Sequence, residues 1–156
     1  MPEKNNKVPV IGLYGFSNSG KTSLIFKIIR KLEMDGFKCA VIKQTDKSIS
    51  SEPQGKDTHG YRAAGAKVTS FASMSETNFV LANKMGILEI VEKISIIDKV
   101  DLIIIEGALD AEIEKIRLGD IPKRENTIYD YINDFEKLYK LLINKLRNNI
   151  NGKNRN

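Results

Sequence analysis

Apolar positions along the chain follow three rhythms. Runs of strand length stand at Val8–Tyr14, broken by Pro9 and Gly12 and read as a buried strand, at Phe37–Lys43, read as a second strand, and at Val100–Ile105, broken only by Asp101. The continuous apolar run of the last predicts a strand buried on both faces, as in a parallel sheet. Spacings of three and four recur in Thr22–Glu33 (Leu24, Ile25, Ile28, Ile29, Leu32) and in Ile87–Ile97 (Ile87, Leu88, Val91, Ile94), and predict amphipathic helices. Two short runs, Val68–Ala72 and Thr77–Ala82, flank the polar Ser73-Met74-Ser75-Glu76 and read as a β-hairpin.

The intervals complete the pattern. Asp35-Gly36 is a turn after the first helix, so strand, helix and strand form a right-handed βαβ unit. Gln44–Lys56 is polar and aperiodic, a long loop past the end of a strand expected beside the first one. Asp57 is placed to cap a short helix to Gly65. Ile113–Leu118 is a further strand candidate, followed by a turn-rich connector, Gly119–Asn126. A last helix starts at Thr127 or Asn133 and presents Ile132, Phe135, Leu138, Leu142 and Leu146 on one face. Residues 1–7 and 148–156 are polar and expected to be flexible. The whole predicts an α/β, three-layer fold with a mainly parallel sheet plus a small hairpin, one domain over residues 1–156.

Composition narrows the setting. The chain has 156 residues, 41% hydrophobic and 29% charged, which suits a folded domain rather than a disordered one. One cysteine, Cys39, excludes an internal disulfide and fits a reducing, cytoplasmic setting. No apolar stretch reaches membrane-spanning length, and the polar start has no signal-like apolar region. Net charge is +5, with much of the excess in Lys140, Lys145, Arg147, Lys153 and Arg155. Basic residues and aromatics do not alternate as in an RNA-binding surface, so a solvated basic face is favoured over nucleic acid.

The chemistry lies between the first strand and the first helix. Gly15-Phe16-Ser17-Asn18-Ser19-Gly20-Lys21-Thr22 fits G-x-x-x-x-G-K-[ST], the phosphate-binding P-loop. Gly15 and Gly20 allow the backbone to turn its N–H groups inward as an anion nest. The helix beginning near Lys21 adds its unpaired N–H groups and the positive end of its dipole, through Thr22 and Ser23. Ser17, Asn18 and Ser19 are small and leave room for phosphate. Lys21 offers a point charge to β- and γ-phosphates, and the Thr22 hydroxyl a ligand for Mg²⁺. An ordinary turn before a helix leaves Lys21 unexplained, because a lysine there opposes the dipole.

A carboxylate that reaches the magnesium ion is also required, and Leu102-Ile103-Ile104-Ile105-Glu106 supplies it at the end of an apolar run. Glu106 would hold a magnesium-bound water or polarise an attacking one. Asn83-Lys84-Met85-Gly86 imitates the start of a guanine signature but ends in Gly86, and so lacks the carboxylate that would pair with the base.

Taken together, these residues resemble the MobB family, GTP-binding proteins of molybdopterin-guanine dinucleotide biosynthesis. The resemblance runs from Val8 to about Arg117. It is carried by Val10–Thr22, Val41-Ile42-Lys43, Gly55-Lys56-Asp57-Thr58, Arg62 with Ala64-Gly65-Ala66, Val100–Gly107 and Lys115-Ile116. It implies GTP and Mg²⁺ as ligands, weak intrinsic hydrolysis, a homodimer, and an accessory role beside the guanylyltransferase acting on the molybdopterin cofactor. By position it makes Asp57 and Arg62 candidates for the nucleotide or cofactor side of the cleft. The chain departs from the family at Gln44-Thr45-Asp46, where histidines are usual, and at Ala108-Leu109, where Phe-Lys is common.

Three other readings compete. A small phosphotransferase would need a lid carrying arginines, and Gln44–Lys56 has none. A metallochaperone GTPase would need clustered soft or imidazole ligands, against one cysteine and one histidine, His59. A non-hydrolysing regulator would keep the phosphate site and use nucleotide only to hold a conformation or a dimer.

Overall fold

The computed structural model describes residues 8–51 and 55–153. In chain order the elements are β1 (Val10–Gly15), α1 (Lys21–Met34), β2 (Cys39–Lys43), α2 (Asp57–Ala63), β3 (Val68–Ala72), β4 (Thr77–Leu81), α3 (Ile87–Ile97), β5 (Leu102–Glu106), β6 (Lys115–Leu118), β7 (Thr127–Tyr131) and α4 (Phe135–Lys153). Two compact units emerge, one of residues 1–45 with 91–156 and one of residues 46–90.

The first unit carries a five-stranded sheet in the order β2-β5-β1-β6-β7, every pair parallel. β1 is central, and Ile11 and Leu13 are fully buried, as are Leu102, Ile103, Ile104 and Ile105 of β5. For β5 that matches the both-faces burial predicted from its apolar run, and for β1 the buried strand read from Val8–Tyr14. β5 sits between β1 and β2, so β2 is not the neighbour of the P-loop strand that the sequence suggested. β5, whose Leu102, Ile103, Ile104 and Ile105 are all fully buried, takes the interior place, and β2, with its exposed Lys43 and half-exposed Val41, takes the edge.

Helices α1 and α4 pack over the sheet through one core. Leu24, Ile25, Ile28 and Leu32 of α1 meet Phe135, Leu138, Tyr139, Leu142 and Leu146 of α4 there, with Ile11, Leu13, Ile116 and Leu118 of the strands. Each fully buried aliphatic side chain in such a core contributes about 1.5–3 kcal/mol. The α1 turn at its C-terminus is tied by the Asp35 N–H to Lys31 O and by the Gly36 N–H to Glu33 O, with Gly36 at φ 81°.

The C-terminal third corrects the sequence reading. Thr127–Tyr131 is the edge strand β7 rather than the start of the last helix. Its half-buried positions, Thr127, Tyr129 and Tyr131, alternate with the more exposed Ile128 and Asp130, a period of two in β-branched and aromatic residues. Ile132 lies beyond β7, 80% exposed, and does not belong to the helix face. Asn133 at φ 66° reverses the chain, and the Asp134 carboxylate accepts the Lys137 N–H at 3.0 Å as the N-cap of α4. The helix runs to Lys153, past the point where fraying was expected.

In the second unit, the hairpin pairs β3 with β4 antiparallel, Val68 opposite Leu81 and Ser70 opposite Phe79. Val68, Phe79 and Leu81 share one face of it and are 53%, 60% and 39% exposed. Asp57 is the first residue of α2, not its cap; Lys56 takes the cap position and no side chain caps the helix.

Candidate functional site

The glycine loop between β1 and α1 is built by sterics first. A side chain at Gly15 would bring its Cβ within 2.6 Å of Leu118 O and 2.7 Å of Ser19 Oγ, so only glycine ends β1 this close to β6. The loop then closes through the Ser19 N–H on Phe16 O at 3.2 Å, with Asn18 and Gly20 left-handed at φ 62° and 85°. Gly20 leads straight into α1, whose N-terminus has no side-chain cap and no acidic residue in its first turn. An uncapped helix start facing a glycine loop favours an anion. Lys21 curls back over the loop, its Nζ donating to Gly15 O at 3.0 Å, Phe16 O at 2.5 Å and Ser19 Oγ at 3.4 Å. The ammonium is thus held by two carbonyls and one hydroxyl. A phosphate, carrying full negative charge, is a stronger acceptor than any of these.

Glu106 arrives at this loop through the sheet register. β5 pairs β1 with Leu13 opposite Glu106, which puts the carboxylate level with the loop's entry. The Thr22 hydroxyl donates to Glu106 Oε1 at 3.1 Å, across 84 residues of chain. Two oxygen donors that close, one neutral and one anionic, suit a hard divalent cation that keeps most of its water shell. Ser17, Asn18 and Ser23 are exposed around them, open to a ligand.

The sequence reading missed how the segment after Glu106 is clamped. Gly107 has φ 103°, and a Cβ there would lie 2.3 Å from Gln44 O. Ala108 follows at φ 42° and is fully buried. Gln44, at the end of β2, receives the Leu109 N–H on Oε1 at 2.8 Å and donates its amide to Asp110. From the other side, Arg124 Nη1 donates to Gly107 O at 2.6 Å and Ala108 O at 3.2 Å, its guanidinium 4.7 Å from the Tyr14 ring centroid. Tyr14 OH accepts the Arg124 N–H at 2.9 Å and lies 2.7 Å from Thr127 Oγ1, which donates to Arg124 O. No spacing rule exposes Arg124, because its partners are backbone carbonyls 16 and 17 residues away. Gln44 and Ala108, both departures from the family pattern, therefore belong to one clamp.

Lys115 on β6 is buried, its ammonium donating to Ile113 O at 2.7 Å, Glu125 O at 2.9 Å and Ala111 O at 3.4 Å. Burial pushes its pKa below the usual lysine value, while Glu125 pulls the other way. A cavity of about 440 Å³ opens on the far side of the loop, between Ser19, Gly20, Ser23 and Lys27 and the ends of β6 and β7 at Gly119, Tyr131 and Asn133.

The structure thus gathers Gly15, Ser17, Asn18, Ser19, Gly20, Lys21, Thr22, Ser23 and Glu106 in the first unit. Asp57 and Arg62 lie in the second, where Arg62 Nη1 donates to Thr69 Oγ1 at 3.2 Å. Among the described residues no group of three or more His, Cys, Asp or Glu could hold a metal ion, and no helix is long and apolar enough to cross a membrane.

Residues 10–134 match the family described as Molybdopterin guanine dinucleotide synthesis protein B. A putative molybdopterin-guanine dinucleotide biosynthesis adapter protein of Methanocaldococcus jannaschii is 37% identical over 114 residues, 73% of this chain and 45% of that protein. A probable adapter protein of the same name from Bacillus subtilis is 30% identical over 112 residues, 69% of this chain and 63% of the relative. The chain therefore spans about half to two-thirds of the length of these relatives. The crystal structure of Bacillus subtilis MobB shares the fold with a TM-score of 0.66 at 22% identity, covering 87% of this chain and 96% of that one. A MobB homologue from Bacillus stearothermophilus gives a TM-score of 0.60 at 17% identity, covering 89% and 98%.

Proposed function

The chain belongs to the molybdopterin guanine dinucleotide synthesis protein B family, and from that premise we propose that it is a GTP-binding adapter in molybdopterin-guanine dinucleotide biosynthesis, acting beside the guanylyltransferase that uses the cofactor. The observation that carries the nucleotide reading is the pairing of the Thr22 hydroxyl with Glu106 at 3.1 Å, next to a lysine already folded over a glycine loop. Phosphates would bind the loop from Gly15 to Ser23, displacing Lys21 from its carbonyls. Thr22 and Glu106 would hold Mg²⁺, Glu106 by way of a bound water. The metal supplies charge neutralisation between the phosphates. Turnover is slow in this reading, because the arginine near Glu106, Arg124, is occupied by backbone carbonyls instead of facing the phosphates.

The base would extend toward the cavity beside Ser23, where Lys27, Tyr131 and Asn133 offer a cation, a ring and an amide. The protein works as a single nucleotide-binding domain in a cytoplasmic setting that keeps Cys39 reduced. Asp57 and Arg62 are assigned to the cofactor side. The hairpin face of Val68, Phe79 and Leu81 is the contact through which a homodimer forms.

Calorimetry with Mg²⁺ tests the core of this reading. GTP is expected to bind in preference to ATP, and Lys21→Ala to lose at least ~10-fold in affinity, the worth of a charge-assisted contact. ATP binding equal to or tighter than GTP would favour the phosphotransferase reading, and binding without detectable hydrolysis the regulator.

A further inference from the structure

Next to the cavity beside Ser23, α1 turns an unusual face to solvent. Phe26, Arg30 and Met34 are spaced by four, so they form one stripe along the helix. Phe26 is 55% exposed and Met34 80%. The stripe forms one wall of a groove of about 580 Å³ whose other wall is the start of α4, at Phe135 and Glu136. The groove is held open by stacked pairs. Lys27 Nζ sits 4.1 Å from the Phe135 ring centroid and Lys31 Nζ 5.3 Å from that of Tyr139, while the two rings stack at 5.8 Å. These contacts fix the lysine stems against α4 and keep the cations at the groove.

Charge decides what the groove can take. Lys31 is paired with Asp35 at 2.8 Å, whereas Arg30 has no hydrogen bond or ion pair among the described residues. Lys27 and Arg30 therefore outweigh the one acid in the lining, Glu136. A second copy of this chain, at net +5, is a poor match for a basic groove. A polyanion with no apolar side, such as a nucleic acid, would leave Phe26 and Met34 uncovered. Phe26 and Met34 lie eight positions apart on α1, a stripe ~12 Å long, which suits the ridge of another helix with apolar anchors about two turns apart.

We propose that the α1–α4 groove is the docking surface for an acidic amphipathic helix of a partner protein, its apolar side on Phe26 and Met34 and its carboxylates on Arg30 and Lys27. This goes beyond nucleotide binding and specifies the surface an adapter would use. Ser23 and Lys27 line both cavities, so a helix seated here ends beside the nucleotide.

The test uses the full chain and a labelled synthetic helix of Leu and Glu, about four turns long, with a Lys-for-Glu counterpart. By fluorescence anisotropy the acidic peptide should bind saturably and more weakly as salt rises, and the lysine peptide should not bind. Phe26→Ser and Arg30→Glu should each weaken it ~10-fold or more. Equal binding of both peptides, binding indifferent to both substitutions, or displacement by a duplex oligonucleotide would overturn the proposal. So would a change in particle mass caused by either substitution, which would mean that a second copy covers the groove. GTP binding, measured on every variant, should be unchanged, which keeps failure of this surface distinct from failure of the nucleotide reading.

Discussion

Thr22 and Glu106 show what a single contact can decide. Neither residue needs the other for the fold, since both lie at the exposed mouth of the strands and the bond joins a hydroxyl to a carboxylate in reach of water. In the proposed function their approach serves a ligand. Thr22→Val should leave thermal stability within about 0.5 kcal/mol of the parent, and should remove most of the Mg²⁺ dependence of GTP binding while GDP binding without metal persists. Titration of nucleotide with and without Mg²⁺ reads both. Gly107 makes the opposite case. With φ at 103° and a would-be Cβ 2.3 Å from the Gln44 carbonyl, Gly107→Ala must shift backbone on both sides. Urea unfolding should show a loss of about 2 kcal/mol or more, and the displaced loop should weaken Mg²⁺ binding through Glu106. The strand, glycine loop and helix around residues 15–23 were legible from their spacing because the geometry is local there. The clamp around Gly107 was not: Gln44, Tyr14, Arg124 and Thr127 meet only through the sheet, and their contacts are mostly with backbone.

At the scale of elements, the α1–α4 contact has a pH signature. The Asp35 carboxyl is held below the usual carboxylate range, first by the Lys31 ammonium that donates to it and then by the Tyr139 hydroxyl. Tyr139 is correspondingly pushed far above the ordinary tyrosine value by burial and by its bond to Asp35. The signs follow from linkage. Asp35 favours the folded state above the unfolded pKa near 3.8, and that contribution disappears as pH falls through the lower folded value. Tyr139 favours it fully below the unfolded pKa near 10, and its contribution is lost as pH climbs from there through the higher folded value. Urea midpoints should therefore fall at both extremes. Asp35→Asn should flatten the acid limb and Tyr139→Phe the alkaline one. An alkaline limb that Tyr139→Phe leaves untouched would assign it to other groups. The elements themselves were largely readable: α3 was bounded as the periodicity predicted, and β5 as a doubly buried strand. β7 was not, because Ile132, Phe135 and Leu138 imitate a helical stripe through a residue, Ile132, that the Asn133 turn leaves outside.

For the whole molecule, the sequence could announce parallel strands but not their order, since which strand lies beside β1 depends on long-range packing. The same limit applies to the proposed assembly, which rests on a face instead of a motif. On the hairpin, Val68 stands opposite Leu81, and Phe79 follows on the same side, opposite Ser70. A two-stranded ribbon is marginal by itself in water, and an apolar face this exposed is a liability unless it is covered. A copy of the same hairpin can cover it with two-fold symmetry, each Phe79 meeting apolar side chains of its mate. Phe79→Lys places a charge at the centre of that contact on both sides at once. Light scattering should then give twice the chain mass for the parent and the single mass for the variant, at concentrations where hydrophobic contacts alone set the equilibrium. GTP binding by the separated chains should survive, because the phosphate loop, Thr22 and Glu106 all lie outside the hairpin. A parent of single-chain mass, or a variant that remains paired, would remove the hairpin from the interface and leave Val68, Phe79 and Leu81 without a mate of their own kind.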